Sequence, residues 1–362
     1  MIEELYHDMI IAGWVTAFLL GICMLCCRVP DRPVYAAYLR SRRVLGVAYI
    51  IFGLSIAQFT FFNLRETAPT VAVAWQLSYF YLEGILFGIS FSSLLDKSYI
   101  SRSRMKRDFG FYVGFLVIAW SGAISATGRL QTILLISASV WFFIAASCIA
   151  IRFLKIYHRA VNRISNFYAD NVEAFVKWLH KSTYGIIFFG LCSSVLSFAP
   201  QWCNAIFMFC GIVMFTYIFI SLQNYILNYE SVENAVVVEE DIAGNRSVPE
   251  DNEILRRTIE RWVAEDGYRE AGVTLDKLTA AVGSNRSYVS AFINSEYHCN
   301  FREWINSLRI EYAKGLLENS RGETIESVAF ASGFSSSAYF CRQFSQRVGM
   351  TPSKWRETNG SK

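Results

Sequence analysis

Glu83 sits near the middle of the third long apolar run of this sequence. At helical spacing it shares a face with Gln76, Tyr79 and Ser90. A carboxyl group at membrane depth costs roughly 2.5 kcal/mol or more unless it is paired, protonated or facing a cavity, so this stripe is expected to point into a helix bundle. Gly84 and Gly88 beside it have the small-xxx-small spacing that lets two helices approach closely. Two readings follow for Glu83, with Gln76 and Tyr79 as neighbours: a hydrogen bond across helices as packing glue, or a ligand or proton sensor. A second chemical grouping lies near the other end. After Phe334, Arg342, Arg347, Lys354, Arg356 and Lys362 face only Glu357, a local excess of cations suited to neutralising phosphates.

Other chemistries find no foothold. No paired intramembrane carboxylates, zinc-type HExxH, phosphate-cradling glycine loop or Ser/His/Asp order stands out, and His158 and His180 fall in a polar loop. Seven of the nine cysteines lie in or beside apolar runs, where they behave as small apolar residues. No Cys/His cluster has metal-site spacing, so neither a metal nor a cofactor is expected.

The elements that must hold these residues are of two kinds. With 53% hydrophobic residues and a mean hydropathy of +0.30, the 362-residue chain is too apolar for two ordinary soluble domains. Seven runs, roughly 9–27, 44–62, 70–95, 109–127, 130–151, 183–199 and 203–227, are long enough at about 17 to 25 residues to cross a lipid bilayer as helices. The first follows an acidic start and reads as an anchor rather than a cleaved leader. Sixteen Lys and Arg fall in the loops after the first, third and fifth runs, against only Arg65 and Arg129 in the alternate loops. That bias predicts the amino terminus outside and, after an odd number of crossings, the carboxyl terminus in the cytoplasm. The predicted organisation is a seven-helix transmembrane domain over 1–227, an acidic linker over 228–250 and a soluble helical domain over 251–362.

At the start of the linker, Leu222, Tyr225, Tyr229, Val232 and Val236 repeat at 3, 4, 3, 4. This is the seam of a two-stranded coil, which would make the chain a homodimer paired through this stalk; the open alternative is a last helix that frays into linker.

The soluble part reads as two similar units. Thr274 caps a short amphipathic helix, Gly283 permits a tight turn, and Asn285 caps the helix that follows. The pattern recurs with Thr324 as cap, Ala329 at a crowded contact, Gly333 in the turn and Ser335 or Ser336 starting the second helix. Between them a helix of about 19 residues carries Phe301, Ile305, Leu308, Tyr312 and Leu316 on one stripe. At 1.5 Å per residue it spans roughly 28 Å, which would set the two second helices about one DNA turn apart.

Residues 252–357 resemble the AraC family DNA-binding domain. The resemblance is carried by Leu308, Arg309, Ile310 and Ala313, by Ile325, Val328 and Ala329, by GFSSSAYFCRQF from Gly333 to Phe344, and by GMTPSKWR from Gly349 to Arg356. It implies a non-enzymatic transcription regulator with double-stranded DNA as partner; together with the seven apolar runs, which add the lipid bilayer, the expectation is a protein of the bacterial inner membrane that responds to an unidentified signal. It places Ser337, Ala338, Cys341 and Arg342 toward the major groove. The first recognition helix offers Arg286, Ser287, Ser290, Ala291 and Asn294, mostly short groups suited to weak or water-mediated readout. Two positions depart from the family pattern: Thr279 where a small Ala is usual, and His298 where Gly usually follows the first recognition helix. From Pro249 onward fifteen cations meet fifteen anions, so the domain is not basic as a whole, and the short side chains of the first recognition helix keep open a tail that binds protein instead of DNA. A transporter or membrane enzyme carrying a regulatory tail stays open as well.

Overall fold

A computed structural model describes residues 2–30, 32–62, 64–125, 127–169, 176–196, 201–244, 252–319 and 322–359. The architecture is all-α among these residues, with a lone antiparallel bridge between Tyr168 and Thr274. The helices are α1 (Ile2–Cys26), α2 (Ala36–Phe61), α3 (Pro69–Leu95), α4 (Arg102–Trp120), α5 (Gly128–Phe167), α6 (Lys177–Leu196) and α7 (Gln201–Gly244). They are followed by α8 (Asn252–Ala264), α9 (Leu275–Val282), α10 (Arg286–Tyr297), α11 (Phe301–Asn319), α12 (Ile325–Ala331), α13 (Ser337–Val348) and α14 (Pro352–Asn359). The chain divides into two compact units, Met1–Ala160 with Phe175–Glu233, and Val161–Ala174 with Asn234–Lys362.

In the first unit, glycines let α1 and α2 touch along their backbones. A Cβ added at Gly21 would lie 2.9 Å from the Gly46 carbonyl oxygen, and one at Gly53 would lie 2.9 Å from the Phe18 ring. Hydroxyl groups tie α2 to its other neighbours. Ser41 Oγ donates to the Ser90 carbonyl at 2.7 Å, and Ser90 Oγ to the Ser41 carbonyl at 3.1 Å. Tyr49 Oη donates to the Phe215 carbonyl at 2.6 Å and Tyr38 Oη to that of Leu222 at 3.1 Å. A carbonyl already bonded within its helix keeps a second lone pair, so these contacts cost the helices nothing. Arg152 closes α5 on α4 with both Asp108 oxygens, at 2.9 and 3.0 Å.

Four helical stretches are long and apolar enough to cross a membrane: Glu4–Cys26, Pro69–Leu95, Gly128–Phe167 and Trp202–Glu230. Of the expected runs, residues 44–61 fall on α2, 109–125 on α4 with the five-residue π-helix Ser121–Ser125 that continues it, and 183–196 on α6; residues 126 and 197–199 lie outside the described residues. Each of these helices carries cations near its start: Arg40, Arg42 and Arg43 in α2, Arg102, Arg104, Lys106 and Arg107 in α4, and Lys177 and Lys181 in α6.

The last apolar helix runs on through the acidic stretch as far as Gly244, the continuation that the sequence left open; residues 245–251 lie outside the described residues. One sequence expectation is corrected here. The supposed seam for a second chain is covered by the chain itself. Leu222, Tyr225, Tyr229 and Val232 are fully or almost fully buried. Tyr229 packs against Tyr35 and Tyr38, with ring centroids 6.1 and 5.6 Å away, and Tyr225 packs against Trp178 at 5.7 Å. The 3, 4 spacing marked an apolar face correctly, but the face is filled by α2 and α6. The side chain of Val236 lies outside the described residues.

In the second unit α11 is the axis. Phe301, Trp304, Ile305, Asn306, Arg309, Ile310, Ala313 and Leu317 are buried, a wider band than the predicted stripe; Leu308, Tyr312 and Leu316 are half-buried at its edge. Packing on several sides requires this breadth, since a single stripe serves a helix with one neighbour.

Candidate nucleic-acid interface

Local chemistry builds both helix pairs of the second unit. Thr274 Oγ1 accepts from the Lys277 amide at 3.3 Å and so caps α9. Gly283, at φ +70°, ends α9 in the left-handed region, and Asn285 Oδ1 accepts from the Tyr288 amide at 3.0 Å to open α10. In the second pair, Thr324 caps α12 through the Ser327 amide at 3.0 Å, Gly333 turns at φ +88°, and Ser336 caps α13 through the Tyr339 amide at 3.4 Å. Ser336, not Ser335, is the cap. Gly333 is required twice over, because a Cβ there would also lie 2.5 Å from the Arg269 carbonyl oxygen.

The two departures from the family pattern have distinct consequences. Thr279 is buried and its hydroxyl donates to the Asp276 carbonyl at 2.9 Å, so the added polar group is satisfied within α9. His298 ends α10 at φ +53°, a backbone shape that glycine adopts without strain and a branched-off side chain does not.

Buried polar side chains fix α13 and the loop before α9 to the axis helix. Asn306 Nδ2 donates to Tyr339 Oη at 2.9 Å. Arg309, fully buried, donates to the carbonyls of Tyr268 at 2.8 Å and Glu270 at 2.9 Å, with its guanidinium 5.6 Å from the Phe334 ring centroid. Burial, with the Asp266 carboxylate as hydrogen-bond partner, pushes the Tyr268 phenol up to about 12. Neither Asn306 nor Arg309 was identified by sequence as holding the interface; a charged residue on the apolar side of an amphipathic helix was the available signal.

The predicted contact residues fall into two groups. On α13, Ala338 and Arg342 are exposed and Ser337 is half-buried, while Cys341 is half-buried against the apolar cluster of Phe334, Phe340 and Phe344. Arg342 holds its guanidinium 5.3 Å from the Tyr339 ring centroid, which steers the side chain without removing it from solvent. Arg347 is exposed and donates to the Glu303 carbonyl at 2.6 Å, and Lys354 on α14 is exposed. On α10, Asn294 and Ala291 are exposed, and Ser287 and Ser290 are half-buried. Arg286 is half-buried and ion-paired with Asp276, its guanidinium 5.5 Å from the Phe167 ring centroid. Arg286 is thus engaged within the protein and Lys277 is paired with Glu270, while Arg342, Arg347 and Lys354 on α13 and α14 are exposed.

In the first unit, Glu83 is buried at 4% exposure, with Ser55 Oγ 3.5 Å from its Oε1. The expected polar stripe divides among partners: Ser90 bonds to Ser41, and Tyr79 stacks on Trp75 at 5.1 Å between centroids. Gln76 is half-buried one turn further on. A Cβ at Gly88 would lie 2.7 Å from Ile149, so this glycine does bring α3 and α5 together.

Residues 278–358 match a family described as a helix-turn-helix domain, which spans both helix pairs from within α9 to α14. The chain is 34% identical across 99 residues to the HTH-type transcriptional regulator ExsA of Pseudomonas aeruginosa, covering 27% of this chain and 31% of that one. It is 33% identical across 94 residues to the virulence regulon transcriptional activator VirF of Yersinia enterocolitica, covering 26% and 34%. The chain thus spans about a third of the length of these curated relatives. Among solved structures, a Listeria innocua protein of unknown function aligns over 29% of this chain at 26% identity with a TM-score of 0.26. The C-terminal domain of AraT, a response regulator from Geobacillus stearothermophilus, aligns over 33% at 24% identity with a TM-score of 0.27.

Proposed function

We propose that this protein is a membrane-anchored transcription regulator of AraC type, not an enzyme. Residues 251–362 bind double-stranded DNA sequence-specifically through two helix-turn-helix units, α10 and α13 being the recognition helices. The second unit supplies most of the contact, with Arg342 as its best base or phosphate ligand and Ser337, Ala338, Arg347 and Lys354 around it. Ser287, Ser290 and Asn294 of the first unit add weaker readout.

Seven helices of residues 1–227 sit in the bacterial inner membrane, amino terminus outside, and sense a membrane or small-molecule signal. The observation that supports this most is α5. Its most apolar window is only 11% buried, and Ile133, Ile136, Phe143 and Ile144 point outward. A face of that size is not tolerated in water and is at home in lipid.

The test is to crosslink the intact protein to DNA in cells and map the sites across the genome, while following the same chain through membrane fractionation. Recovery of discrete DNA sites from membrane-embedded protein is expected. Absence of DNA in the crosslinked membrane fraction would refute the reading. A second reading, a transporter or membrane enzyme with a regulatory tail, draws on the buried Glu83. Uptake or turnover in vesicles holding protein without residues 250–362 would favour it.

A further inference from the structure

In the first unit a cavity bordered by α3, α5, α6 and α7 reaches Glu83. Its volume is about 100 Å³, room for the polar head of a small organic molecule whose remainder lies across the open mouth. Its walls carry the rings of Phe87, Phe142, Phe153 and Phe189, and none of the described residues lining it is Lys, Arg or His. The mouth lies on the apolar flank of the unit: Ala146 and Ile186 on the rim are half-buried, and Ile144 and Phe188 beside them are exposed.

Glu83 is underused by the protein. Ser55 Oγ is 3.5 Å from its Oε1 but only 2.8 Å from the Phe52 carbonyl oxygen, and a hydroxyl has one hydrogen to give. Thr183, the hydroxyl residue on the opposite wall, donates to its own helix at the Leu179 carbonyl, 2.9 Å away. The one long contact from α2 leaves the carboxyl also bordering empty space.

We propose that the cavity binds the head of a hydrophobic amine, its ammonium group paired with the Glu83 carboxylate and its apolar body running past the phenylalanine rings to the open mouth. A carboxylate with no cation around it selects a ligand that brings the cation, and the pair leaves the site neutral. Aromatic faces add attraction for the same group through the ring quadrupole. A carboxylic acid of the same size finds no positive partner, and an alcohol gains one hydrogen bond but not the charge pairing. The inference deepens the sensing role proposed above by naming the signal's chemistry.

The test uses the full-length protein in lipid nanodiscs, with 4-phenylbutylamine, 4-phenylbutanol and 4-phenylbutanoic acid as probes and empty nanodiscs subtracted. Calorimetric titration is expected to give saturable binding of the amine, at least tenfold tighter than either of the others. Glu83→Gln should remove that preference. Gly190→Phe should abolish binding of all three, because a Cβ there meets nothing within 4 Å and the ring would grow into open space. Circular dichroism and size exclusion establish that both variants fold. If Glu83→Gln misfolds, Glu83→Asp, expected to keep the amine preference with weaker affinity, decides. Equal affinity for the three probes, an amine preference that survives Glu83→Gln, or no saturable binding by the folded wild type would each overturn the proposal. A transcriptional reporter separates the two levels. Amine binding without a reporter response leaves the site standing and removes the sensing role, and a working reporter with no amine binding does the reverse.

Discussion

Arg309 Nε donates to the carbonyl oxygen of Tyr268 at 2.8 Å, across 41 residues of sequence and with the arginine fully buried. The same guanidinium reaches the Glu270 carbonyl and lies against Phe334, which follows the Gly333 turn of the second helix pair. One side chain on α11 therefore holds the loop that precedes the first pair and the turn inside the second. Arg309→Met should loosen both, at a cost of about 3 kcal/mol, since a buried carbonyl and a part-buried one lose a charged donor. Hydrogen exchange on the intact protein checks this: protection in α9 and in α12–α13 should fall together. Loss confined to one pair would contradict the linking role.

Arg342→Ala is expected to weaken specific DNA binding tenfold or more, the loss of a good base contact being worth about 1 to 3 kcal/mol. Arg286→Ala should cost DNA binding much less, because Arg286 is already paired with Asp276. Lys354→Ala should act equally on all sequences and reduce the salt dependence by about one counterion. Titration of fluorescent duplexes against nanodisc-embedded protein at several salt concentrations measures all three. Equal losses for Arg286→Ala and Arg342→Ala would displace the second unit from its leading role.

His298→Gly is expected to stabilise the DNA-binding unit by about 1 kcal/mol, since the residue ends α10 at φ +53°, where glycine carries no Cβ strain. The expected sign is a slower hydrogen exchange at the end of α10 with DNA affinity unchanged. A faster exchange would mean that the imidazole makes a compensating contact.

Tyr229 is buried against Tyr35 and Tyr38 of its own chain. Cysteines placed at Tyr225, Tyr229 or Val232 should therefore form no disulfide between chains in membranes, and Tyr229→Asp should destabilise the first unit itself. Efficient crosslinking between chains at Tyr229 would restore the paired stalk.

The proposed topology is checked with a reporter active only in the cytoplasm, fused after Gly128 and after Lys181. Silence at the first site and activity at the second are expected from the alternation of cations between loops. The reverse pattern would exclude seven crossings in this orientation.

Features set within a few residues of chain are legible in the sequence alone. The caps at Thr274, Asn285 and Thr324 and the left-handed turns at Gly283 and Gly333 depend on hydrogen bonds and φ values that neighbouring residues settle among themselves. So does the apolar face of α7, which its 3, 4 spacing displays. What covers that face is not written in the spacing, because periodicity belongs to one helix and a partner is a property of two; only the fold places Tyr35, Tyr38 and Trp178 there instead of a second chain. The same reason hides the pairing of Arg286 with Asp276, the junction at Arg309 and the empty space beside Glu83. A residue's type shows which interaction it can make, and the packing of distant elements decides whether that interaction is turned inward or left for a ligand.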